Sequence, residues 1–230
     1  MNRNELIAAV RFATGDHGTP PLFSDEDLTR LLNEAEQEAC IRARLLRDQT
    51  TEEVVQIQLE DGVRQYRVHA TVFDVLTVTL RREGCRPRKL LRATPDEMLA
   101  YTIAHPDADR APCAFYFLED SAANSGGLLT FDTALAEADG YQVTLEVQRL
   151  PLYPMENEDD EPEIPYRHHP ALVDWVLFKC YSSRDIEADA PDRAARHKQE
   201  FVDHFGERPS AYVQQRQQRH RAPVVRAQRW

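Results

Sequence analysis

Between Leu172 and Tyr181 the apolar residues Leu172, Val173, Val176, Leu177, Cys180 and Tyr181 recur at every third or fourth position. That is the period of one buried helical face. The spacing predicts a helix, with Pro170 suited to its first turn and Trp175 widening the apolar stripe. After a break at Asp189-Ala190-Pro191 a second periodic run carries Ala194, Ala195, Phe201, Val202 and Phe205, with Asp189 as N-cap and Gly206 as stop. The two predict a helical hairpin. Near the amino terminus, Asn4 to Phe12 reads as a short amphipathic helix with Leu6, Ile7, Val10 and Phe12 inward, ended by Gly15 and Gly18. Ser24, with Asp27 three residues on, opens a longer helix. Its face of Leu28, Leu31, Leu32, Ala35, Ala39, Ala43 and Leu46 runs to about Arg47, and Arg30, Glu34, Glu38 and Arg44 make a solvated opposite face.

At Thr50 the period changes to alternation. Thr51 to Leu59 and Val63 to His69 read as strands joined by the turn signal Asp61-Gly62. Thr71 to Arg82 is apolar on both sides, as a central strand would be. Gly84 turns the chain, Lys89 to Arg92 returns as a short strand, and Thr94-Pro95-Asp96-Glu97 starts a brief helix through Tyr101. A polar loop from His105 to Ala111 follows. Cys113 to Leu118, Gly127 to Phe131 and Tyr141 to Arg149 read as three more strands, separated by Asn124-Ser125-Gly126-Gly127 and Asp139-Gly140. The expected fold is α+β: a helical bundle from the N- and C-terminal helices, with an inserted antiparallel β-sandwich or partial barrel and an extended C-terminal tail. The expected division is 1–49 and 167–206 for the bundle, 50–150 for the β domain, 151–166 for an acidic loop and 207–230 for the tail.

Charge adds two features that the hydrophobic pattern does not show. The chain has 28 basic and 39 acidic residues, an excess that argues against a duplex-binding surface. The last segment, Glu207 to Trp230, reverses the sign with six arginines and one glutamate. Its Tyr212, Val213, Val224, Val225 and Trp230 are too few to build a core, so a partner contact is expected there. Before the hairpin, Glu156, Glu158, Asp159, Asp160, Glu161 and Glu163 crowd one loop with no glycine turn of the kind a calcium loop needs. Two readings stand: a solvated, self-repelling loop, or an acidic patch that meets a basic surface on a neighbouring subunit.

No nucleophile elbow, phosphate-cradling glycine loop, zincin helix or dinucleotide fingerprint is present. Cys40, Cys85, Cys113 and Cys180 form no Cys-x-x-Cys pair and are expected to be reduced, packed thiols. His168 and His169, with Asp174 and the loop acids, are the nearest group to a site, but adjacent histidines at a helix start diverge. His197 and His204, seven residues apart, are too distant for one ion without other ligands. No catalytic, cofactor-binding or metal-ligating residue is assigned. No signal-peptide core and no apolar run of membrane-spanning length is found, so a soluble protein made in the cytoplasm is expected.

Several short stretches occur in a telling order: Leu31-Leu32-Asn33-Glu34-Ala35, Arg149-Leu150-Pro151-Leu152, Glu161-Pro162-Glu163-Ile164-Pro165 and His169-Pro170-Ala171-Leu172-Val173, closing with Asp185-Ile186-Glu187 and Phe201 to Gly206. From Ser24 to Gly206 the chain resembles the head-to-tail adaptor, or connector, proteins of tailed bacteriophages. The resemblance implies a structural virion protein with no cofactor and no membrane contact. Such proteins form a homo-oligomeric ring, commonly of about twelve copies, in the neck under the portal protein and against a tail or nozzle protein. DNA then only passes through the channel, for which an acidic lining is favourable. On this reading Tyr212, Arg216, Arg219, Arg221, Arg226, Arg229 and Trp230 dock on the portal, and the acidic loop lies between subunits. Rival readings are a nucleic-acid-binding accessory protein that uses the basic tail, a phage tail-completion protein, and a metal-dependent enzyme built on His168, His169 and the loop.

Overall fold

The computed structural model describes residues 1–104, 111–118, 126–183 and 190–210. The elements begin with α1 (Arg3–Thr14), α2 (Asp25–Ala43), β1 (Arg47–Asp48), α3 (Glu52–Val55), β2 (Gln56–Gln58), β3 (Gln65–Arg67) and β4 (Val72–Arg82). They continue with β5 (Arg88–Lys89), β6 (Leu91–Arg92), α4 (Pro95–Ala104), β7 (Ala114–Leu118), β8 (Leu128–Phe131) and β9 (Tyr141–Arg149). A 3-10 turn (Tyr166–His168) then leads into α5 (His169–Tyr181) and α6 (Ala190–Phe205). The class is α+β, as the periodicity predicts. The chain separates into a helical unit, Met1–Arg47 with Gln148–Arg208, and a strand-built unit over Asp48–Val147.

In the helical unit α5 packs against α1, α2 and α6. The shared core takes Leu6 and Val10 from α1, Leu32 and Ala39 from α2, Leu172 and Val176 from α5, and Phe201 and Phe205 from α6. Trp175 and Phe201 meet at 4.9 Å between ring centroids, and Phe201 and Phe205 at 4.6 Å. Full burial of one such ring contributes about 2–3 kcal/mol. The caps follow from the sequence. Asn2 and Glu5 form a reciprocal capping box on α1, and the Ser24 hydroxyl accepts from the Asp27 amide at the start of α2.

Three expectations for these helices are corrected. Phe12 is 82% exposed rather than inward, because six residues beyond Leu6 a helix has turned to another face. The second helix ends at Ala43, short of Arg47, where Arg44 turns left-handed (φ 52°) and its amide closes on the Cys40 carbonyl. The charged face of α2 is not simply solvated: Glu34 pairs with Lys179 at 2.6 Å, and Glu38 pairs with both Arg42 and Arg208. The expected N-cap Asp189 lies outside the described residues.

The strand-built unit holds two sheets. One runs in the order β1-β9-β4-β5, with β2 also on β9; the other runs β3-β8-β7-β6. β4 contacts β7 between them and is buried on both sides, as a central strand should be. One pair departs from the antiparallel expectation: β6 runs parallel to β7, Leu91 against Ala114. The intervening α4 is the crossover that parallel pairing requires, and Thr94 and Glu97 cap it reciprocally, each accepting the other's amide. The predicted strand Lys89 to Arg92 divides at Leu90, so that β5 joins one sheet and β6 the other.

Thr51 to Leu59 is also only half a strand. The buried Asp48 carboxylate accepts the amides of Thr50 and Thr51 at 3.0 and 3.1 Å, and the Thr51 carbonyl takes the amides of Val54 and Val55, winding α3 before β2 begins. Val54 and Val55 are both buried, which strict alternation forbids. Gly126 has a packing reason, since a Cβ there would lie 1.8 Å from the His69 carbonyl oxygen. Cys40 and Cys180 are buried thiols, whereas Cys85 is exposed against expectation, because it sits in the turn between β4 and β5.

Candidate functional site

The acidic loop neither floats nor repels itself away from the protein. Met155 and Ile164 anchor it in the core of the helical unit, each 2% exposed. Between them the Asn33 amide side chain bonds both backbone groups of Met155, at 2.8 and 3.1 Å. The start of α1 supplies further donors: the Arg3 amide to the Asp160 carbonyl (2.7 Å), the Asn4 amide to the Glu158 carbonyl (3.2 Å), and Arg3 Nη1 to the Glu156 carbonyl (3.1 Å). Pro151, Pro154, Pro162 and Pro165 fix φ along the same stretch. The solvated-loop reading is therefore corrected to a strap held at both ends and along its length.

Two of its six acids look inward. Asp160 Oδ2 accepts the amides of Glu156 and Asn157, both at 2.7 Å. Those donors, Asn157's first, hold its carboxyl below the usual carboxylate range. Glu163 forms a two-pronged pair with the nearly buried Arg149, Nη1 to Oε2 at 2.9 Å and Nη2 to Oε1 at 2.5 Å, and also accepts the Leu152 amide. Beneath them lies Glu36, 1% exposed, whose Oε1 accepts the amides of Glu163 (2.5 Å) and Ile164 (3.2 Å). Burial pushes its carboxyl up to about 7, against the pull of those two amides.

The other four acids, Glu156, Glu158, Asp159 and Glu161, are exposed. Among the described residues no hydrogen bond or ion pair engages their carboxylates. Glu156 and Glu161 line a cleft with Tyr153, which is 75% exposed. Two open clefts share the Pro154–Glu156 ridge: one of about 630 Å³ against α2, lined by Arg3, Thr29, Asn33 and Gln37 among others, and one of about 410 Å³ bounded by Tyr153, Asp160 and Glu161. A fixed backbone that presents free carboxylates beside an exposed aromatic ring can receive a cationic partner at low ordering cost.

A basic counterpart lies on the strand-built unit, and the sequence reading passed over it. The end of β4, the turn after it and β5 carry Arg81, Arg82, Arg86, Arg88 and Lys89 against Glu83, all exposed. Arg82 is engaged by Tyr141 and Arg88 by the carbonyls of Ala111 and Pro112. Arg81, Arg86 and Lys89 have no such partner among the described residues. The signal was a run of cations around Gly84, read as turn chemistry alone.

The histidines diverge. His169 is buried and bonds the Ile164 carbonyl at 2.8 Å, while His168 turns outward to His204 at 3.0 Å, with Arg167 Nε donating to its other nitrogen. Burial and the Arg167 charge lower the His168 pKa. Asp174 approaches neither; it pairs with His197. Of the predicted tail contacts, Tyr212, Arg216, Arg219, Arg221, Arg226, Arg229 and Trp230 lie outside the described residues. The described start of that segment is tied to α2, by Arg42 to the Gly206 carbonyl at 3.2 Å and by Arg208 to Glu38 at 2.9 Å. No described helix is long and apolar enough to cross a membrane.

A family model described as SU10 adaptor protein matches residues 1–227 of this chain. No curated protein sequence matches it.

Proposed function

The chain belongs to the SU10 adaptor protein family, a family of phage head-to-tail adaptors, and on that premise we propose that its acidic strap and basic turn are the two complementary faces of a ring interface. Membership makes it a structural protein of the virion neck that works between portal and tail proteins. The finer reading is a ring of about twelve copies under the portal, with residues 207–230 docking on the portal and DNA passing through the channel. A cyclic ring needs two different patches on each subunit. The observation that supports this reading is the strap itself. Its backbone is bonded to α1 and α2, so Glu156, Glu158, Asp159 and Glu161 are held outward rather than folded away. The exposed cations Arg81, Arg86 and Lys89 offer the opposite charge on a neighbouring copy.

Charge reversal tests the pairing. The triple variants E158K/D159K/E161K and R81E/R86E/K89E are each expected to lower assembly on the portal at least about tenfold, through like-charge juxtaposition. Where the two variants alternate around the ring, every interface again sets opposite charges against each other, so mixing them recovers assembly. Wild-type assembly by both variants would overturn the pairing.

A further inference from the structure

His197, which stands too far from His204 for the two to share an ion, meets two carboxylates across the hairpin of α5 and α6. His197 Nδ1 lies 2.9 Å from Asp174 Oδ1 and 3.2 Å from Glu200 Oε2. Asp174 comes from α5, whereas His197 and Glu200 stand three residues apart on α6 and so share a face. The candidate ligand atoms of the three residues all lie within 4.8 Å of one another. We propose that Asp174, His197 and Glu200 form a three-ligand site for a divalent first-row transition ion, and that zinc is the ion their chemistry fits.

Two neighbours hold the ligands in place. Arg196 Nε donates to Glu200 Oε1 at 2.9 Å, which fixes that carboxylate with Oε2 toward the imidazole. The Tyr181 ring stacks on the His197 ring at 5.8 Å with an interplanar angle of 15°, which restrains its rotation. Such second contacts are what orient metal ligands. Nitrogen and carboxylate donors suit zinc at about 2.0–2.2 Å, which puts tetrahedral ligand atoms roughly 3.3 Å apart. The observed 2.9 and 3.2 Å need only a small opening. Calcium and magnesium are poorer fits, since both call for a larger set of oxygen ligands. The side chains of His197, Asp174 and Glu200 are 21%, 25% and 40% exposed, so an ion has an entry path and the fourth position falls to water. Bound there, the ion would staple α6 to α5.

The test uses the full chain without an affinity tag, stripped by chelator and titrated with zinc chloride alone in a calorimeter. Cobalt substitution is followed by visible absorption. The expected result is one equivalent bound per chain, a raised thermal midpoint, and the intense visible bands of four-coordinate cobalt. His197→Ala and Asp174→Asn lose that equivalent, Arg196→Ala weakens it by about ten- to a hundredfold, and His204→Ala leaves it unchanged. Glu200→Gln, on the most exposed ligand, keeps the test open should either inner variant fold poorly; with native ellipticity it must also lose the cobalt bands. No saturable binding by the wild-type chain, or an undiminished equivalent in Glu200→Gln or His197→Ala, overturns the site.

Discussion

Glu36 offers the sharpest check on how the strap is held. It is 1% exposed, accepts two strap amides, and has a carboxyl pushed up to about 7 from 4.5. In the unfolded chain that carboxyl gives up its proton near the ordinary value, while in the fold it keeps it until the pH approaches 7. The unfolded state then binds fewer protons than the native state, so stability falls as pH rises through this window and is level above it. At about 1.4 kcal/mol per pKa unit the whole effect is about 3 kcal/mol, most of which falls between roughly pH 5 and pH 8. Glu36→Gln preserves the acceptor oxygen and removes the titration. Urea unfolding of both proteins, followed by tryptophan fluorescence, at about pH 5 and about pH 8 isolates the term, because every other titrating group cancels in the difference. The variant is expected to gain on the wild type by roughly 2–3 kcal/mol across that interval. A difference that stays flat with pH would refute the raised pKa, and with it the picture of a buried neutral carboxyl receiving the strap.

Other perturbations reach the rest of the molecule. Arg149→Met leaves Glu163 without its two-pronged partner and should cost about 2–3 kcal/mol in urea unfolding, below the range for fully buried pairs since Glu163 is partly exposed. The same variant should speed amide exchange at Leu152, whose amide bonds the Glu163 carboxylate. Phe201→Ala empties a ring site between Trp175 and Phe205 and should lower stability by about 3–5 kcal/mol, visible as an earlier thermal transition. Deleting Ser210 to Trp230 should leave a soluble chain with unchanged far-ultraviolet ellipticity that no longer co-sediments with the portal; unaltered attachment would remove the docking role from that segment.

Much of this architecture could be read directly from residue order. The spacing of Leu172, Val176 and Cys180 marks α5 as a helix without tertiary information, whereas the burial of Trp175 and Leu177 as well comes from the three helices packed around it. Tyr141 to Arg149 alternates strictly and forms β9 over those same residues. Turn and cap chemistry acts within a few residues, so Ser24 and Thr94 mark element ends without reference to the rest of the chain, whereas the hairpin expected at Asp61-Gly62 is not formed, since β2 pairs with β9 and β3 with β8. Hydrophobic alternation carries no direction, however. The antiparallel expectation therefore failed at β6 and β7, where the helix already legible between them carries the chain back to run parallel. The valines of α3 could serve a strand or a helix, and the buried Asp48 carboxylate decided the matter by drawing the neighbouring amides into a turn.

The site divides along the same line. That Glu156 to Glu163 are acidic and the last segment basic is a property of composition, fixed before any folding. Which carboxylates remain free is not: Asp160 and Glu163 are taken by amides and by Arg149, donors that only the packed chain brings within reach. His197 and Glu200 share a helix face by their spacing of three, but Asp174 stands 23 residues before His197 and no local rule joins it to them. Helix packing did so, because the apolar faces of α5 and α6 set the rotation of each helix and thereby the polar side chains that meet at the margin.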